Sequence, residues 1–115
     1  MDINFSPASL DDIKGISFHS GYIFDTASNI NSVFGNDTVY DSECNKTFNE
    51  WHVKLNNNIS FTVYDWKSDR PPFDNEKFYY HIGTIDEKTT QIVIDTLCKA
   101  GLNAYQKSLF AFPKK

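Results

Sequence analysis

The chain has a single arginine, one methionine, two cysteines and five glycines in 115 residues. It also lacks any apolar run approaching the ~20 residues that cross a bilayer, which excludes a membrane-spanning helix and predicts no membrane partner. The opening MDINFSPASLDD carries acidic residues where a secretion signal needs a basic start and an apolar run, so the expected compartment is intracellular. Cys44 and Cys98 fit that compartment as unpaired thiols, with a disulfide between them as the alternative. Fifteen carboxylates against eleven cations leave a net charge of -4. That balance repels a phosphate backbone at long range and argues against long nucleic acid as a partner, while leaving room for a small phosphorylated ligand in a local pocket.

Catalytic signatures are also missing. There is no Gly-x-Ser-x-Gly and no phosphate-loop consensus. A two-histidine phosphodiesterase needs two His-x-Ser/Thr elements on strands, and His19-Ser20 and His81-Ile-Gly-Thr84 each miss that spacing by one residue. His19, His52 and His81 have no short ligand spacing, and no two of them are expected to share a strand or helix face, so no metal site and no cofactor are expected. Three glycosylation sequons, at Asn36, Asn45 and Asn58, read as products of an asparagine-rich sequence.

Ten phenylalanines and a hydrophobic content of 40% predict a folded chain, and a mean hydropathy of -0.47 predicts a soluble one. The length suits a single domain, 1–115, with residues 1–12 as a loosely structured lead-in. From Ile13 an alternating pattern suggests a short strand ending near Gly21. Asp25 or Thr26 can cap a helix over 27–34, with Ile30, Val33 and Phe34 at helical spacing and Gly35 at its stop. Residues 36–47 read as loop. Thr84 or Asp86 can cap a second helix, near 86–100, whose buried stripe is Val93, Ile94, Leu97 and Cys98; Gly101 ends it. Tyr105 to Phe112 reads as a final strand.

The region from Glu50 to Gly83 holds both tryptophans, the arginine and two histidines. If Asn56-Asn57-Asn58 is a three-residue turn, Leu55 faces Ile59, Val53 faces Phe61 and Trp51 faces Val63, and all six lie on one side of a hairpin. A two-residue turn would set Phe61 and Val63 against Lys54 and His52, so the longer turn is preferred. Asparagine supplies the left-handed residue that such a turn needs near its end. Glu50, His52, Lys54, Ser60, Thr62, Tyr64 and Trp66 then share the other side. Residues 65–76 form a charged loop interrupted by Pro71 and Pro72. Lys77 to Gly83 is a third strand, alternating Phe78, Tyr80 and Ile82 with Tyr79 and His81. The predicted class is therefore α+β, an antiparallel sheet built on a central hairpin and packed against two helices.

Tyr64, Trp66 and Tyr79, near Lys67 and Arg70, either stack bases and neutralise phosphates or complete a core under a helix. At His81-Ile82-Gly83-Thr84 a strand feeds a helix through small residues, which can leave backbone N–H groups for an anion. The candidate ligand-binding set is Tyr64, Trp66, Lys67, Arg70, Tyr79, His81, Gly83 and Thr84, with no catalytic residue among them.

An ordered series of motifs carries a resemblance. Gly21-Tyr22-Ile23, Phe34-Gly35, Glu50-Trp51, Phe61-Thr-Val-Tyr-Asp-Trp-Lys67 and His81-Ile-Gly83 resemble a family of small phage-encoded proteins over about residues 20 to 97. The chain departs from that pattern at Asn57-Asn58, which replaces an Asp-Gly turn, at Tyr80, which replaces tryptophan, and at Thr84, which replaces a second glycine. The resemblance implies an anti-defence protein in the cytoplasm of an infected bacterium. It implies a homo-oligomeric sponge that sequesters a cyclic-nucleotide signal of CBASS or Thoeris immunity without cleaving it, with pockets near subunit boundaries. The alternatives are an inhibitor that binds a host or defence protein, such as a CRISPR component, and, third, a small phosphodiesterase or nuclease.

Overall fold

Asn56 and Asn57 take φ of 51° and 59°, the left-handed pair that a type I′ turn requires. The Asn58 N–H donates to the Leu55 carbonyl at 3.0 Å. In this computed structural model, which describes residues 3–39, 49–65 and 75–106, that turn fixes the hairpin of β3 (Glu50–Leu55) and β4 (Ile59–Tyr64). Leu55 pairs with Ile59, Val53 with Phe61 and Trp51 with Val63, the register predicted from the apolar pattern. Only the turn differs: its left-handed residues are the first two asparagines.

Around the hairpin lie β1 (Phe5–Pro7), β2 (Phe18–Thr26), β5 (Lys77–Thr84) and β6 (Ala104–Gln106), giving a six-stranded sheet in the order β1-β3-β4-β5-β2-β6. All its pairings are antiparallel. Two helices, α1 (Ala27–Phe34) and α2 (Glu87–Lys99), complete the α+β fold. Thr26 caps α1 by accepting from Asn29 N–H at 3.1 Å, and Asp86 caps α2 by accepting from Thr89 N–H at 2.8 Å.

Both helices pack on one side of the sheet. Val53, Phe61, Val63, Tyr80, Ile82 and Ile23 meet Ile30 and Phe34 of α1 and Val93 and Leu97 of α2 in one buried cluster. Gly21 sits under α2 because a Cβ there would lie 3.2 Å from both Ile94 Cδ1 and Thr90 Cγ2. The connection from β1 to β2 crosses the opposite side. Asp12 reaches Lys54 Nζ at 2.9 Å, and Ile16 lies within 3.5 Å of where a Gly83 Cβ would stand. The Ser9 backbone N–H and the Lys54 ammonium hold the Asp12 carboxyl down at about 2.

Several expectations are corrected. The lead-in contains a strand, since residues 5–7 pair with β3 from Leu55 to Val53. The strand expected over 13–21 begins at Phe18 and continues to Thr26, while 10–15 form turns. Cys98 is exposed and its thiol approaches the Ala104 carbonyl at 3.5 Å; the buried stripe of α2 is Thr90, Val93, Ile94 and Leu97. Residues 36–38 form a single 3-10 turn, and Val39 bridges to Trp51. Cys44, residues 66–74 of the expected loop and the residues beyond Gln106 lie outside the described residues.

Candidate functional site

Side-chain alternation along the strands builds the surface opposite the helices. One residue from each of five strands falls into a continuous cross-strand row: Glu50, Tyr64, His81, Tyr22 and Tyr105. Beside it runs a second row of His52, Thr62, Gly83 and His19. On the other flank Phe24 pairs with Tyr79 and Thr26 with Lys77.

A register shift between His19 and Gly21 makes these rows possible, because it inserts Ser20 as an extra residue. A β-bulge of this kind re-aims the residues before it. His19 and Tyr22, three apart, would otherwise point to opposite sides. Here their rings meet edge to face with centroids 4.8 Å apart.

The histidines lie on three different strands, as expected, yet pairing brings them onto one face of the sheet. His19 and His81 have centroids 4.4 Å apart and planes within 29°. Rings so close and so nearly parallel must overlap face to face, since side-by-side rings would collide. Tyr64 stacks on the other flank of His81 at 5.4 Å and 25°. Tyr64, His81 and His19 form a ladder, with Tyr22 set against it through its ring edge. Gly83 makes room for Thr62 beside the ladder: a Cβ there would stand 2.6 Å from Thr62 Oγ1, while Tyr64 Cε1 would be at ordinary contact distance, 3.5 Å.

On this surface Glu50 meets His52 Nε2 at 2.6 Å, while exposed Lys77 lies on the Phe24 flank, its ammonium 5.7 Å from that ring's centre. Burial, with smaller contributions from the Glu50 carboxylate and the Tyr22 phenol, pushes the Tyr64 hydroxyl pKa up, and burial does the same to Tyr22. A phenol whose folded pKa exceeds its unfolded value of 10.0 gives its full stability below that pH and loses it as pH rises further. Tyr64→Phe is accordingly expected to flatten the alkaline fall in unfolding free energy, measured by urea titration between about pH 8 and 11. An unchanged alkaline limb would mean that Tyr64 ionises without resistance.

Of the predicted ligand-binding residues, the fold brings Tyr64, Tyr79 and His81 onto one surface. Gly83 joins them as a buried spacer. Thr84 points to the other side, fully buried, with its hydroxyl donating to Asp86 O at 2.8 Å and meeting the Thr90 hydroxyl. The anion seat expected after it is taken by the Asp86 carboxylate, whose pKa is lowered by its bonds to Thr89. Trp66, Lys67 and Arg70 lie outside the described residues. Asp65, between Tyr64 and Trp66 in the motif, has a structural duty: fully buried, it accepts from Asn49 N at 2.8 Å and Asn49 Nδ2 at 3.1 Å at the open end of the hairpin.

Sequence reasoning missed His19, Tyr22, Phe24, Tyr105 and Lys77. The usable signal was the alternation of Tyr22 and Phe24 with Ile23, once the strand is carried through Gly21. The described residues thus define an α+β protein with a helix-free aromatic and histidine-rich sheet face. No family model, curated protein or solved structure matches the chain.

Proposed function

We propose that the protein is a phage-encoded anti-defence factor that binds a cyclic-nucleotide immune signal on the helix-free face and sequesters it without cleavage, in the cytoplasm of the infected host and as a homo-oligomer. The observation that carries the reading is the concentration of aromatic and imidazole rings on a sheet face that neither described helix covers. Such faces bind nucleotides through ring contacts and through hydrogen bonds to base edges, at about 1–3 kcal/mol per stacked base. The resemblance of the motif series to a family of small phage-encoded proteins supports the same direction.

The test is retention. The protein is incubated with cyclic di- and trinucleotides and cyclic ADP-ribose isomers, desalted and heated, and the released material is analysed by mass. Intact nucleotide is the expected product. Altered nucleotide would make the protein an enzyme, and no retention or thermal shift with any member would overturn the reading in favour of protein binding.

A further inference from the structure

Beside the hairpin turn the sheet has a gap. The Asp65 N–H donates to the Asn49 carbonyl at 3.1 Å, continuing the β3–β4 register with a hydrogen-bonded pair. Alternation along an antiparallel ladder then turns the odd-numbered residues of β4 toward β3, and the backbone groups of Ser60, Thr62 and Tyr64 toward β5. Thr62 meets Gly83 and Tyr64 meets His81, but the pairing stops before Ser60 can meet Ile85. No backbone hydrogen bond joins Ser60 to Ile85 among the described residues, and Ile85 is 65% exposed. Where the strands part, a cavity of about 230 Å³ opens, walled by Lys14 and Ile16 of the β1–β2 connection, Ile59 and Ser60 of β4, and Ile85 ahead of α2. Asp12 lines it too, but its carboxylate is taken by Lys54 Nζ and the Ser9 N–H, each at 2.9 Å. Lys14 is exposed and makes no ion pair among the described residues. The uncommitted charge at the cavity is therefore positive.

We infer that this gap is a binding slot for the carboxyl-terminal end of a peptide whose last residue is aliphatic. A peptide backbone offers Ser60 the C=O and N–H that Ile85 does not supply, the chemistry by which extended segments add to a sheet. The slot is blind, because β4 and β5 are already joined at Thr62 and Gly83. An entering strand must end there, which admits a chain terminus and excludes an internal segment. Lys14 chooses between the two termini, since its ammonium attracts a carboxylate and repels an N-terminal amine. Ile16, Ile59 and Ile85 give the last side chain an apolar lining. A volume of about 230 Å³ is below the roughly 300–1,000 Å³ of sites for drug-sized ligands and suits one or two residues. None of these residues belongs to the aromatic and histidine rows of the helix-free face, so the slot is a second site, independent of the proposed nucleotide binding.

The probes are acetylated tripeptides ending in alanine, valine, leucine or isoleucine, each made as the free acid and as the amide, and titrated into the isotope-labelled protein while amide shifts are recorded. With the free acids, shifts are expected at Lys14, Ile16, Ser60, Ile85 and Thr89, all of which line the slot. The amides should bind about two- to fivefold more weakly, the scale of one exposed ion pair, and Lys14→Gln should weaken the free acids by the same factor while leaving the amides unaffected. Ile85→Ser, at an exposed position, should weaken both forms about fivefold or more with an unchanged melting temperature. Adding two serines after the aliphatic residue should abolish the shifts, because the slot has no exit. No shift at these residues with any free acid at millimolar concentration, equal affinity for acid and amide, or undiminished binding of the serine-extended peptide overturns the slot. Retention of cyclic nucleotide is expected to be the same in the Lys14→Gln and Ile85→Ser proteins as in the unsubstituted chain, so the slot and the sequestration reading fail separately.

Discussion

Phe61→Ala is expected to remove about 3–5 kcal/mol of unfolding free energy, the usual loss when a buried phenylalanine leaves a cavity. Phe61 is fully buried near the middle of β4 and meets Phe34 of α1 at 5.7 Å and 72° and Phe5 of β1 at 6.4 Å and 76°. It therefore ties the hairpin, the first helix and the edge strand together. A chain of this size has about 5–15 kcal/mol in total, so the variant should be close to half unfolded in mild urea. Equilibrium urea unfolding with an unchanged slope checks it. A loss under about 1.5 kcal/mol would mean that the site collapses freely and that the three elements do not depend on this ring.

The second large effect is expected at Gly83. A methyl group there meets Thr62 Oγ1 at 2.6 Å and stands 3.5 Å from both Ile16 Cγ2 and Tyr64 Cε1. Something must shift, and overpacking of this kind costs about 1–3 kcal/mol. Thr62 is buried and β-branched, so its hydroxyl has few places to turn. Thr62→Ala removes the nearest atom. Its combination with Gly83→Ala should therefore cost less than the sum of the two single changes by about 0.5 kcal/mol or more, in a double-mutant cycle read by thermal or urea unfolding. Strict additivity would show that the glycine is needed for some reason other than this contact. The same pair bears on the face itself, because Gly83 and Thr62 are cross-strand partners in the row beside the ladder.

The hairpin was legible in the sequence because six apolar residues had to fall on one side, and only one turn length allows it. Both helices were legible from Thr26, Asp86 and the glycines that follow them. The second strand was not, and the reason is physical. Gly21 looks like a terminus in sequence, yet it is a mid-strand glycine that lets Ile94 and Thr90 of α2 approach to within 3.2 Å of where a Cβ would stand. Ending the strand there hid Tyr22 and Phe24, and with them the neighbours of His81 and Tyr79. The bulge at Ser20 hid His19 as well, since alternation without an inserted residue places His19 and Tyr22 on opposite sides. Thr84 was chosen from its place after Gly83, but alternation carries it to the helix side, where Thr90 and the Asp86 carbonyl hold its hydroxyl. Cys98 was placed on the buried stripe by spacing from Ile94. The contact face of α2 is narrower than that stripe and ends at Leu97.

The face itself can be mapped directly. Amide chemical shifts of the isotope-labelled protein, recorded with each cyclic nucleotide of the retention panel at saturation, test whether the helix-free side is the binding surface. Shifts are expected to cluster at residues of that face, His19, Tyr22, Phe24, Tyr64, Lys77, Tyr79 and His81. Shifts confined to exposed residues of the helix side, such as Ser28, Ile92 and Asp95, or none with any member of the panel, would contradict that expectation.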